Sequence, residues 1–134
     1  MSQVIAYWGI VGVNGKTYKR GCTKTKAYTS LPSKEKKLAI PSLDPIAVFD
    51  YDNLLTTASA IKKSAAAKKA VGTLLKYTGY SIRSEYESNG TGAYASDDVV
   101  ALTKNFRMGS NIKLIKASKV GIESFKEQIY KDLA

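Results

Sequence analysis

The sequence contains no histidine and a single cysteine, Cys22. Without histidine, neither a Ser-His-Asp nor a Cys-His nucleophile pair can be built from these residues, and most transition-metal sites lose a usual ligand. One cysteine makes no internal disulfide and no thiolate cluster, which argues against a secreted, disulfide-stapled framework. Long hydrophobic runs are also missing: no stretch approaches the ~20 apolar residues of a membrane span. The opening "MSQVIAYWGIVGV" lacks a basic leader and is interrupted by Gly9 and Gly12, so it reads as a strand and not as a signal peptide. An intracellular, reducing location is expected. Acidic residues are scarce, 11 against 21 Lys and Arg, for a net charge of +10.

That charge favours acidic partners, whether protein, nucleic acid or an anionic surface. Of the 21 basic residues only Arg20, Arg83 and Arg107 are arginine. Bidentate base or phosphate readout prefers arginine, so a lysine-dominated sequence is a poor sequence-specific DNA reader. Nine tyrosines and one tryptophan outnumber three phenylalanines, a bias toward half-buried rings with a polar end. Hydrophobic residues at 44% and charged residues at 24% are ordinary for a packed domain, and 134 residues suit one domain.

The expected organisation is a β-hairpin over 1–30, a Pro-containing basic connector over 31–45, and a helix plus β-α-β-α unit over 46–134. Val4 to Val13 is rich in β-branched and aromatic residues, and Asn14-Gly15 is a strong hairpin-turn signal. The return strand would run from Lys16 to Cys22 or on to Tyr28. Pro32, Pro41 and Pro45 mark the connector, and Ile46 to Phe49 reads as a short strand. From Asp52 to about Tyr77 the sequence turns Ala/Lys-rich and helical. Asp50 or Asp52 would cap its start, a bend would fall near 66–69, and Gly79 would end it. Tyr80, Ile82, Ser84 and Tyr86 alternate as in a half-exposed strand, and "NGTG" reads as a turn. A short helix capped by Ser96 carries Asp97 and Asp98 in its first turn and ends at Gly109. A strand over "NIKLIKAS" and a last helix striped by Ile122, Phe125, Ile129 and Leu133 complete an α+β fold, with helices over a small, mostly antiparallel sheet.

Motifs that carry chemistry are few. "GVNGKT" ends like a phosphate-binding loop, but Ile10 stands near where its first glycine belongs and no helix is expected after Thr17. Asp50 and Asp52, like Asp97 and Asp98, are explained by helix starts. Glu85 and Glu87 share one strand face and balance nearby lysines. Nothing combines a nucleophile, a base and an oxyanion site, so a non-enzymatic protein without a metal is expected. Cys22 lies beside Arg20 and Lys24, cations that lower a thiol pKa. Its first reading is a small buried residue on a basic strand.

Two short stretches resemble light-harvesting antenna proteins. In Ala93 to Ser118, Arg107, Met108, Gly109 and Ser110 followed by Ile112 and Ile115 resemble the small terminal domain of phycobilisome linker proteins. Arg20, Gly21, Cys22, Thr23, Tyr28 and Thr29 are similar to a segment of cryptophyte antenna α subunits, echoed in red-algal scaffolding proteins, whose cysteine carries a bilin. The resemblance implies a scaffolding linker on the stromal or cytoplasmic face of a photosynthetic membrane, binding acidic phycobiliproteins, with a bilin on Cys22. The partner-binding candidates are Tyr7, Trp8, Tyr18, Lys19, Arg20, Lys24, Lys26, Tyr28, Phe106 and Arg107. The alternatives are a nucleic-acid-associated protein, ribosomal or nucleoprotein, or a virion subunit. The basic segment 16–37 supports the nucleic-acid reading through phosphate contacts.

Overall fold

The N-terminal apolar run coils into a helix instead of extending. In the computed structural model, which describes residues 1–12, 14–31, 35–54 and 57–133, the first element is α1, Ser2–Ile10. Its β-branched residues favour a strand only weakly, and packing overrides that preference. Ile5 and Gly9, one helical turn apart, are both buried, and the Tyr51 ring occupies the space that a Gly9 side chain would take. The expected N-terminal hairpin is therefore corrected to a helix and an extended return. The Asn14-Gly15 turn does form, with φ of 51° and 74°, the positive values that such a turn needs. It brings the Tyr18 amide to 2.8 Å from the Trp8 carbonyl.

The return segment pairs late. Cys22 forms an antiparallel bridge with Ile46, and only Tyr28–Ser30 (β1) becomes a regular strand. Its partner, β2 at Leu38–Ile40, lies inside the stretch expected to be a connector, in register Tyr28↔Ile40 and Ser30↔Leu38. Pro41 follows directly, where a missing amide donor ends the pairing. Val13 of the expected first strand and Pro32 of the connector lie outside the described residues, as does the Leu133 side chain of the last helix's stripe.

The long helix is interrupted at Ser64 and not at 66–69. A single 3-10 turn at Tyr51–Asn53 precedes α2 (Ala58–Lys63) and α3 (Ala65–Ser81). Thr57 and Ser64 accept from the amides of Ala60 and Ala67, so hydroxyls cap these helices and the aspartates do not. α3 runs through Gly79 and ends where Arg83 takes a φ of 52°. It buries Ala67, Ala70, Leu74 and Thr78, a stripe at helical spacing.

A second two-stranded sheet, β3 (Glu85–Glu87) with β4 (Gly90–Gly92), replaces the longer strand expected from Tyr80, and "NGTG" supplies half of it. Glu35 clasps its turn, accepting from the amide and hydroxyl of Ser88. Then come α4 (Ala95–Val100), a π-helical turn at Ala101–Asn105, α5 (Ala117–Val120) and α6 (Ile122–Leu133). Tyr94, not Ser96, stands at the α4 cap position. The expected strand over "NIKLIKAS" does not form. Six α-helices and two small antiparallel sheets among the described residues make an α+β fold, without the single sheet of a β-α-β-α unit.

The core joins distant segments. Ile5, Phe49, Tyr51, Leu54, Ala70, Leu74, Ala101 and Phe106 form one buried cluster that includes Cys22. The Phe49 ring lies 5.7 Å from Tyr77, 6.1 Å from Phe106 and 6.4 Å from Tyr51, centroid to centroid. Such ring contacts add about 0.5–1.5 kcal/mol each beyond area burial.

Candidate active site

An open cleft of about 420 Å³ lies beside the Cys22–Ile46 bridge. Three segments wall it: Lys19 to Thr23, Pro45 to Ala47, and Asn105 to Arg107. The first two are held by reciprocal bonds, Cys22 amide to Ile46 carbonyl at 2.8 Å and Ile46 amide to Cys22 carbonyl at 2.9 Å. They approach so closely at Gly21 that a side chain there would strike the carbonyl oxygens of Ile46 and Ala47. The third segment is tied to the first through Asn105. Its carbonyl accepts from the Thr23 amide at 3.0 Å, and its side-chain amide donates to the Thr23 hydroxyl at 3.2 Å.

Arg20 is fixed at its backbone. The buried Tyr51 hydroxyl accepts from the Arg20 amide at 2.9 Å and donates to the Arg20 carbonyl at 3.0 Å, while the Phe49 amide donates to the same carbonyl at 3.1 Å. The Arg20 guanidinium lies 5.7 Å from the Tyr18 ring centroid, and its Nε is buried without a hydrogen-bond partner among the described residues. Arg107 belongs to the third segment and has a φ of 51°. The π-helical turn sets that conformation, with the Met108 amide donating to the Leu102 carbonyl at 2.9 Å. Lys19 stands at the rim, 3.5 Å from the Asp52 carboxylate. No carboxylate belongs to the residues that line this cleft.

Cys22 is placed as a core residue. It is 4% exposed, and its Sγ lies 3.5 Å from the Ser81 hydroxyl. Burial pushes the thiol above its ordinary pKa, and the Ser81 contact offsets this only in part. Arg20 and Lys24, its cationic neighbours in sequence, do not prevail over that burial. A neutral, enclosed thiol is a weak nucleophile.

The cleft thus gathers Lys19, Arg20, Cys22, Phe106 and Arg107 from the sequence-derived candidates. Phe106, a partner-binding candidate, is 1% exposed and belongs to the core. The others lie apart from it. Tyr7 is exposed on α1, and the Trp8 ring packs at 5.7 Å against Tyr18. Lys24 and Lys26 point outward, flanking buried Thr25. The half-buried Tyr28 hydroxyl donates to the Ser84 carbonyl at 2.8 Å. Pro45 to Ala47, Asn105 and Ser81 carry no sequence signal for this site, because only the fold brings them to Cys22.

A model described as the Peptidase C10 family matches residues 1–134, the full sequence. The protein belongs to this family. No curated protein matches it. Membership in a peptidase family overturns the expected non-enzymatic, phycobilisome-type linker, and its nucleic-acid and virion alternatives gain no support from it. The antenna resemblance rested on short motifs, and its second half also fails structurally. Among the described residues no strand follows Gly109, where a linker domain would place one. The bilin implied for Cys22 rested on the same resemblance.

Proposed function

We propose that this protein takes part in peptide-bond hydrolysis and that the cleft beside the Cys22–Ile46 bridge holds the polypeptide. The observation that carries the reading is the family match over the full sequence. The cleft supports it in three ways. It is open, its size is that of an ordinary ligand site, and two of its walls are extended main chain that a peptide can lie along. Hydrolysis consumes one water, breaks the amide C–N bond and releases a carboxylate and an amine. Cys22 lacks the setting of a nucleophile, since its thiol is buried and no histidine stands among these residues to deprotonate it.

The test is release of dye from labelled casein by the purified protein, compared with Cys22→Ala. Both are expected to cleave at the same rate, and iodoacetamide should leave the wild-type rate unchanged. Absence of cleavage by the wild type would refute the peptidase reading. Loss of cleavage in a Cys22→Ala variant with an unchanged melting temperature would instead make Cys22 the nucleophile.

A further inference from the structure

We propose that the cleft is an anion subsite that takes a Glu or Asp side chain of a bound polypeptide, held by Arg20 and Arg107. This rests on the reading of the cleft as the polypeptide-binding surface. Only three of the 21 cationic residues are arginine, and two of those three line this one cleft. Arginine presents a planar fork that matches a carboxylate with two parallel hydrogen bonds, which lysine cannot do. The third cation, Lys19, already faces Asp52 at the rim. The two arginines form no ion pair among the described residues.

The arginines are also prepared for a ligand. The Arg20 backbone is clamped by Tyr51 and Phe49, so binding need not order it. Its Nε is removed from water with no acceptor among the described residues, an arrangement that costs free energy. Asn105 spends one of its two side-chain N–H donors on Thr23, and the charged donors lining the cleft without an ion pair among the described residues are the two arginines. A cleft of about 420 Å³ admits a side chain with its flanking backbone, not a folded domain. Carboxylates also occur at the C-termini of polypeptides, and the experiment separates these two sources.

Fluorescence anisotropy would compare three labelled tripeptides: Ala-Glu-Ala blocked at both ends, Ala-Gln-Ala blocked at both ends, and Ala-Gln-Ala with a free C-terminus. The blocked Glu peptide should bind about tenfold or more tightly than its Gln counterpart, the scale of one charge-assisted bidentate contact. Arg107→Gln and Arg20→Gln should each erase that preference, whereas Lys113→Gln, an exposed cation outside the cleft, should leave it. Arg107 is itself exposed, so its variant keeps the test valid if Arg20→Gln unfolds. Equal binding of the blocked Glu and Gln peptides overturns the proposal, as does equal loss in the Lys113 variant, which would signal only the overall positive field. Tight binding confined to the free C-terminus overturns the side-chain assignment. Casein cleavage is read separately. Cleavage without a Glu preference removes the subsite alone, and a Glu preference without cleavage removes the peptidase reading alone.

Discussion

Replacing Tyr51 with phenylalanine deletes one oxygen and tests how the cleft wall is held. The hydroxyl sits in the core and serves Arg20 twice, as acceptor from its amide and as donor to its carbonyl. After Tyr51→Phe the carbonyl keeps the Phe49 amide at 3.1 Å, but the Arg20 amide has no remaining acceptor among the described residues. The lost bond to the carbonyl is worth about 1 kcal/mol net, and an orphaned buried amide costs about 1–3 kcal/mol. A total near 2–4 kcal/mol follows. With an unfolding entropy of about 0.28 kcal/mol/K for this length, the melting temperature should fall by about 7–14 °C. Circular dichroism melts and urea titrations would measure it, with the urea m-value unchanged. Binding of the blocked Glu tripeptide should weaken as well, because the Arg20 backbone is released. A fall of less than about 2 °C, with peptide binding intact, would show that the hydroxyl does not hold the wall and would refute the reasoning.

Two glycines should respond in opposite directions to alanine. Gly72 in α3 has open space around it, so Gly72→Ala should stabilise by about 0.5–1 kcal/mol and raise the melting temperature by about 2–4 °C. Gly9→Ala should lower it, since the new methyl meets a Tyr51 ring pinned at its far end by Arg20, and overpacking costs about 1–3 kcal/mol. Burial raises the phenol pKa values of Tyr28, Tyr51, Tyr77 and Tyr86. The folded state therefore holds these protons more tightly than the unfolded state does. The associated stability is complete below the ordinary phenol value of about 10 and is lost as pH rises past it. Urea midpoints should decline above pH ~10, while phenolate absorbance shows a group of tyrosines that ionises only with unfolding; a full complement titrating at pH ~10 in the folded protein would count against the burial argument.

The elements with strong local signals were legible in the sequence. Asn14-Gly15 forms its turn because few residues tolerate positive φ, and α6 follows its Ile122, Phe125 and Ile129 spacing. The Ala/Lys tract is helical because its residues favour that state, though hydroxyl caps at Thr57 and Ser64 placed the ends. Where signals conflicted, packing decided. Val4 to Ile10 has strand-like composition and became a helix because Ile5 and Gly9 can then meet the core side by side. The strand expected from Tyr80 was taken by the end of α3, because a helix already stabilised along its buried stripe gains by extending.

The site divides in the same way. Composition alone determined the positive charge, the missing histidine and the scarcity of arginine, and these limit which chemistry these residues can perform. The tertiary structure alone decided that Ser81 is the neighbour of the Cys22 thiol, that Phe106 packs against Phe49, and that Arg20 and Arg107, 87 positions apart, line one cleft. Residue type fixes charge and reactivity wherever the residue lies. Which residues meet depends on contacts between segments far apart in the sequence, and no local pattern around Cys22 records them.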